Sequence, residues 1–241
     1  MQKILGYMRK AIKEFDMIQD GDGVCVGVSG GKDSLVLLTA LAQLRRFIGI
    51  DYDLKAVTID AGLKGVETDY SPIERLCESY GVEYRVVKTR IGEIVFDVRK
   101  ESNPCSLCAK MRRGALHAAT AEMGCNKLAL GHNMDDVIET FMMNLFTVGH
   151  IGCFEPVSFL NKHEITLIRP LALAPERNVI SAAKECGLEI VRSSCPADGK
   201  TNRQTMKEFL AERERGDRGF KKRLFGAIRR GNIDGWAGNL L

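Results

Sequence analysis

The sequence contains no apolar run of the ~18–20 residues that a helix needs to cross a bilayer, so no membrane role is expected. Its opening segment, MQKILGYMRKAIKEFDMI, lacks the unbroken apolar core of a secretory signal, and charged residues interrupt it at helical intervals. A cytoplasmic location is therefore expected. There is no internal repeat and no low-complexity tract. A disulfide framework is not expected either: without a secretory signal, the eight cysteines point to metal binding, catalysis or simple burial. Two common nucleotide-loop motifs are also missing. A Walker loop ending at Lys32 would need glycine at position 26 and Ser or Thr at 33, but Val26 and Asp33 stand there. The G-x-G-x-x-G spacing is absent too.

What is present suits one α/β domain with an extension: 241 residues, 45% hydrophobic and 27% charged. The net charge of +4 is unevenly spread. Between Arg203 and Arg230, ten Lys/Arg stand against four Asp/Glu, so this segment is +6 and the remainder −2. A basic tail on a near-neutral body suits a polyanion such as nucleic acid, or else a solvated helix laced with Glu–Arg pairs. Ile4, Met8, Ile12 and Phe15 share one face of an N-terminal amphipathic helix. The expected organisation is this helix within 1–20, a main domain over 21–204, and a basic extension over 205–241 that frays at its end.

Short apolar runs at Val24–Val28, Leu54–Ile59, Val82–Val87 and Lys127–Leu130 read as strands bounded by Gly, Asp or Asn. Helical patterns lie near 34–47, 69–80, 106–123 and 134–146. A later strand or turn is expected at Ile165–Ile168 and a helix at Pro175–Cys186, with Pro175 in its first turn and Gly187 at its end. Alternating strands and helices imply βαβ units and a parallel, doubly wound sheet with helices on both faces. Ligands of such sheets bind beyond the carboxyl ends of the strands, which places Ser29–Ser34, Asp60 and Gly131–Asp136 on one rim.

The segment S-G-G-K-D-S at 29–34 lies between a buried strand and an apolar helix. Gly30 and Gly31 let backbone amides turn toward an anion, and the following helix N-terminus favours negative charge. Ser29 and Ser34 add hydroxyls and Lys32 a point charge; Asp33 would repel phosphate unless Mg²⁺ bridges them. These six residues resemble the signature of the PP-loop ATP pyrophosphatases. The resemblance implies ATP cleaved between its α and β phosphates, with adenylation of a substrate oxygen. The second rim motif, L-A-L-G-H-N-M-D-D at 128–136, carries Gly131, Asp135 and Asp136. Acids at a helix start are ordinary caps. The resemblance nevertheless implies that Asp136, and next Asp135, lies beside the nucleotide and assists metal or catalysis.

Cys105 and Cys108 form a C-x-x-C at the start of the helix near 106–123, where the helix N-terminus lowers thiol pKa. Arg112 and Arg113 follow. Cys195, in V-R-S-S-C-P-A-D-G-K, sits in a loop sequence. Cys25, Cys77 and Cys186 fall on strand or helix patterns and are read as buried, whereas Cys125 and Cys153 fit either role. Cys105, Cys108 and Cys195 make an incomplete zinc site but a natural site for a 4Fe-4S cluster with one open iron. Together with R-R-G at 112–114, R-P-L at 169–171, Glu176 and C-x7-R-Q at 195–204, these residues resemble the TtcA/TtuA group of tRNA thiolases, and its 2-thiocytidine branch in particular.

That resemblance covers most of the chain and implies ATP, Mg²⁺ and a 4Fe-4S cluster as cofactors, tRNA as partner, and a cysteine desulfurase or sulfide as sulfur donor. It implies Lys32, Asp33, Asp136 and Arg112 as catalytic residues. Ser29, Gly30, Gly31, Ser34, Asp60, Gly131 and Asp135 would join Lys32 and Asp33 in binding the nucleotide. A homodimer is expected by analogy. The competing readings are a PP-loop enzyme that thiolates or amidates another substrate, and a non-catalytic iron–sulfur carrier.

Overall fold

Val24, Cys25 and Val26 are fully buried, and the sheet is built outward from them. The structure, a computed structural model, describes residues 1–63, 67–99, 104–161, 164–191 and 202–236. Its strands are β1 (Asp22–Gly27), β2 (Tyr52–Asp60), β3 (Glu83–Lys88), β4 (Lys127–Ala129), β5 (Val157–Leu160) and β6 (Ile165–Ile168), in the order β3-β2-β1-β4-β6-β5. Every neighbouring pair is parallel except β5–β6. The expected parallel sheet is thus present, with one antiparallel edge strand that the sequence pattern does not reveal. The strand order reverses between β1 and β4, where Val26 pairs with both Ala56 and Ala129. The crevice beyond those two strand ends is where a doubly wound sheet takes its ligand.

The helices are α1 (Gln2–Glu14), α2 (Lys32–Leu44), α3 (Ser71–Ser79), α4 (Pro104–Glu122), α5 (Met134–Met143), α6 (Glu176–Glu185), α7 (Asn202–Gly216) and α8 (Phe220–Arg230). α2 is buried along almost its whole length, as its near-continuous apolar sequence demands, with α1 and α6 against it. α1 buries the expected stripe of Ile4, Met8 and Ile12, together with Leu5 and Ala11. α5 is regular only to Met143 and then widens into a π-helical turn, Asn144–Val148.

The C-terminal helices are part of the same body. Met206 and Leu210 of α7, Phe225 and Ile228 of α8, and Trp236 are buried in the main core. The Trp236 ring meets Phe15, Phe154 and Phe225 edge-on at 5.6, 6.3 and 5.7 Å, and its Nε1–H donates to the Phe154 carbonyl at 2.8 Å. The fraying expected of this end does not extend to Trp236, because three aromatic rings and a hydrogen bond hold the indole. Residues 237–241 lie outside the described residues.

Candidate active site

The loop between β1 and α2 is shaped by two glycines that no other residue could replace without a shift. Gly30 has φ +83°, and a Cβ there would lie 2.8 Å from Cβ of Val191. A Cβ on Gly131 would lie 2.9 Å from the carbonyl carbon of Asp33, so only glycine lets the β4–α5 turn touch the start of α2. Ser34 ties the loop together: its hydroxyl donates to the Gly31 carbonyl at 2.9 Å and accepts from the Ser29 amide at 3.1 Å. Gly31 stands at the N-cap of α2 and offers no side-chain cap, so the first amides of the helix face outward toward an anion.

Lys32 is held by two carboxylates, Asp33 Oδ2 at 2.8 Å and Glu176 Oε1 at 3.0 Å. Burial alone would lower the lysine pKa; the ion pairs with Asp33 and Glu176 outweigh it and raise it, so the ammonium stays charged. Asp33 Oδ1 also accepts from Asn133 Nδ2 at 3.0 Å. Asn133 and Asp136 form a reciprocal capping box on α5: Asp136 Oδ2 accepts from the Asn133 amide at 2.9 Å, and Asp136 Oδ1 faces Arg203 at 3.4 Å. Asp136 is therefore a helix cap and a wall of the crevice at once.

Asp135 is turned away from the crevice. One of its oxygens accepts from the Glu176 amide at 2.7 Å and the other pairs with Lys221 at 2.7 Å, so its carboxylate fastens α6 and α8 to α5. Asp60 closes the turn after β2, accepting from the Gly62 amide at 2.9 Å, and does not line the crevice among the described residues. Both carboxylates bond to the protein itself, Asp135 across to α6 and α8 and Asp60 within its own turn.

The crevice itself measures about 420 Å³. Ser29, Asp33 and Ser34 form one side, Gly131, His132 and Asp136 another, and Arg112, Arg113, Leu116 and His117 of α4 the third. Val57 and Ile59 give it an apolar floor. Cys105 and Cys108 stand in the first turns of that same α4, the former exposed and the latter half-buried against the small core that includes Ile91 and Val95. At positions 105, 108 and 112, the two thiols and Arg112 share one helical face. Cys195 lies outside the described residues. A larger hollow of about 590 Å³ beside α3 is lined by Glu67, Asp69 and Glu74 with no basic residue, and would repel a polyphosphate.

One acid beside the site carries no signal in the sequence pattern. Glu139, one turn beyond Asp136, is 3% exposed and 4.0 Å from Arg203. Burial, reinforced by the neighbouring Asp136 charge, pushes its carboxyl up to about 7. Its raised pKa means that the folded protein holds a proton there that the unfolded chain loses above the ordinary glutamate range. This contribution to stability is present at low pH and is lost as pH rises from about 4.5 to 7. Glu139→Gln is expected to raise Tm by several degrees at pH 8 and to leave it nearly unchanged at pH 5, read by thermal melts at both values.

Residues 5–214 match the PP-loop domain family, and the chain belongs to it. Among curated relatives, it is 40% identical to the tRNA-cytidine(32) 2-sulfurtransferase of Citrifermentans bemidjiense over 229 residues, covering 94% of this chain and 89% of that one. It is 38% identical to the protein of the same name from Geobacter sulfurreducens over 235 residues, covering 96% and 90%. Among solved structures, it is similar to the U34-tRNA thiolase NcsA from Methanococcus maripaludis with its [4Fe-4S] cluster. The TM-score is 0.77 at 29% identity, covering 94% of this chain and 78% of NcsA. No described helix is long and apolar enough to cross a membrane.

Proposed function

We propose that this chain is an ATP-dependent tRNA sulfurtransferase that adenylates the 2-oxo group of a cytidine in tRNA and replaces that oxygen with sulfur. One observation carries the reading: a single crevice joins the phosphate-binding loop to the face of α4 that opens with Cys105 and Cys108. The names of the relatives above agree with it in nucleoside and chemistry.

The loop amides, Ser29, Ser34 and Lys32 hold the ATP phosphates, while Val57 and Ile59 supply an apolar surface beside them. Phosphate displaces Lys32 from Glu176, which keeps Lys207 at 2.6 Å and so is not left unpaired. Asp33 and Asp136, both on the crevice wall, are the carboxylates placed to hold Mg²⁺, whose charge would offset that developing on the phosphates. Arg112 orients the base so that its 2-oxo oxygen attacks the α-phosphorus and pyrophosphate leaves. Sulfur then takes ring position 2 as AMP departs.

Two described cysteines three residues apart at a helix start, one of them exposed, are soft donors that fit a 4Fe-4S cluster, with Cys195 as the expected third ligand. When bound, that cluster would offer an open iron site for sulfur delivered from outside the protein. Delivery by a cysteine desulfurase or as sulfide, cytoplasmic residence and a homodimer complete the reading.

Mass spectrometry of tRNA nucleosides after anaerobic reconstitution with iron, sulfide, ATP and Mg²⁺ tests it. 2-Thiocytidine is expected; no thiolated pyrimidine at all would sink the proposal.

The tRNA clamp expected of the basic extension is narrower than its charge suggests. Arg203, Lys207, Lys221, Arg223 and Arg229 are spent on Asp136, Glu176, Asp135, Asp217 and Glu14. Arg213, Arg215, Arg218, Lys222 and Arg230 are exposed and make no ion pair among the described residues. Replacing Arg215, Arg218, Lys222 and Arg230 together by Gln should weaken tRNA binding without moving Tm. Its log–log salt slope should fall by roughly one unit for each phosphate no longer neutralised. An unchanged slope would remove the extension from the RNA interface.

A further inference from the structure

The R-P-L motif at 169–171 has no part in the steps above, yet its arginine is buried beside the crevice. Arg169 Nε donates to Nδ1 of His132 at 3.3 Å, and its Nη1 donates to the Glu155 carbonyl and, at 3.4 Å, to Ser158 Oγ. Its guanidinium carbon lies 4.7 Å from the centre of the Phe154 ring, which also packs on the His132 imidazole at 4.9 Å with 35° between the planes. The imidazole is thus fixed on one face and at one nitrogen.

Arginine cannot accept a hydrogen bond and does not deprotonate, so Nδ1 of His132 must present its lone pair. A neutral imidazole in that state carries its proton on Nε2. That nitrogen has no partner among the described residues, and the ring lines the crevice with Ser29, Asp33 and Asp136.

We propose that Arg169 is a positioning residue that locks His132 in its neutral, Nε2-protonated form, and that His132 is a catalytic residue whose uncharged Nε2–H donates to a phosphoryl oxygen of the nucleotide being cleaved. This rests on the adenylating reading above. The groups facing His132 are Arg169 after β6 and Arg203 on α7, with Arg112, Arg113, His117, Asp33 and Asp136 around the crevice. Burial first, then the charges of Arg169 and Arg203, bring the imidazole pKa down to about 3. The donor is therefore the same across the physiological range and adds no further charge to a crowded cationic wall.

Nitrogen-15 spectra of histidine-labelled protein test the lock without any substrate. One of the four histidines, identified by its loss in His132→Gln, should stay neutral and Nε2-protonated at pH 5. An imidazolium at pH 6, or a proton on Nδ1, would overturn the assignment. In Arg169→Met the same signal should turn to mixed tautomers; an unaltered signal would remove Arg169 from the role.

Kinetics separate the two nitrogens. The Gln amide reaches the Nε2 position and the Asn amide only the Nδ1 position. His132→Asn should lose about a hundredfold in kcat for pyrophosphate release with KM for ATP within threefold, and His132→Gln about tenfold or less. If Asn is as active as Gln, the Nε2 donor is wrong, even where Arg169→Met fails to fold. Wild-type protein that gives the expected spectrum but no tRNA-dependent pyrophosphate release would sink the adenylating reading and the catalytic role of His132, leaving only the lock.

Discussion

Lys32→Ala lowers tRNA-dependent pyrophosphate release by at least about a hundredfold, with Tm shifted by only a few degrees. Losing one preorganised donor to a reacting phosphate ordinarily costs about 10²–10³ in rate. Here a second penalty adds to it. The ammonium sits 2.8 Å from Asp33 and 3.0 Å from Glu176, and without it both carboxylates face the incoming phosphates uncompensated on that side. The fold survives because each acid keeps another partner: Asn133 Nδ2 at 3.0 Å for Asp33 and Lys207 at 2.6 Å for Glu176. Initial rates with saturating ATP and tRNA, set beside melting curves, check this. A variant that still thiolates tRNA at the wild-type rate would support the iron–sulfur carrier reading instead.

Cys105→Ala and Cys108→Ser abolish thiolation while leaving adenylation within severalfold of the wild type. The two thiols begin α4 and the nucleotide loop begins α2, so the acts of activating oxygen and replacing it fall on different elements facing one crevice. Cys105 is exposed and its removal leaves no cavity. Cys108 packs against a small core that includes Ile91 and Val95, and serine keeps most of its volume. Anaerobic reconstitution should then give no charge-transfer absorption from an iron–sulfur cluster and no 2-thiocytidine, with pyrophosphate still released. Retention of thiolation by either variant would remove that cysteine from the ligand set. Cys195→Ala extends the same assay to the expected third ligand.

Local signals carry most of the architecture. The central strands are buried on both faces, so they read as β-branched runs whatever surrounds them, and α2 announces itself by an almost wholly apolar sequence. β5 is hidden because its four residues are half-exposed, with Phe159 open to solvent, and its partner β6 is equally short. The π-helical turn after Met143 has no sequence signature.

Within the site, the loop, Asp136, Arg112 and the C-x-x-C are legible because each belongs to a contiguous motif. Asp135, beside Asp136 in sequence, points to the other side of the helix, toward Lys221, and its partners do not show in the motif. Glu139, and the pairing of Lys207 and Arg203 with α6 and α5, arise from packing between segments 31 to 67 residues apart, which no local pattern encodes. The basic extension reads as a surface because its charges are visible in sequence and their partners are not.

The ion pairs from α7 and α8 also set an order of events at the ribosome. The phosphate loop, α4 and α5 are all synthesised before the helices that neutralise Asp135, Asp136, Glu139 and Glu176. Until those helices emerge, Asp136 and Glu176 lack the cations of α7, while Lys32, Arg112 and Arg113 are already in place around the crevice. Phe15, at the end of α1, likewise waits for Trp236. The last two helices thus finish the charge balance of a rim whose phosphate loop is built entirely from earlier segments.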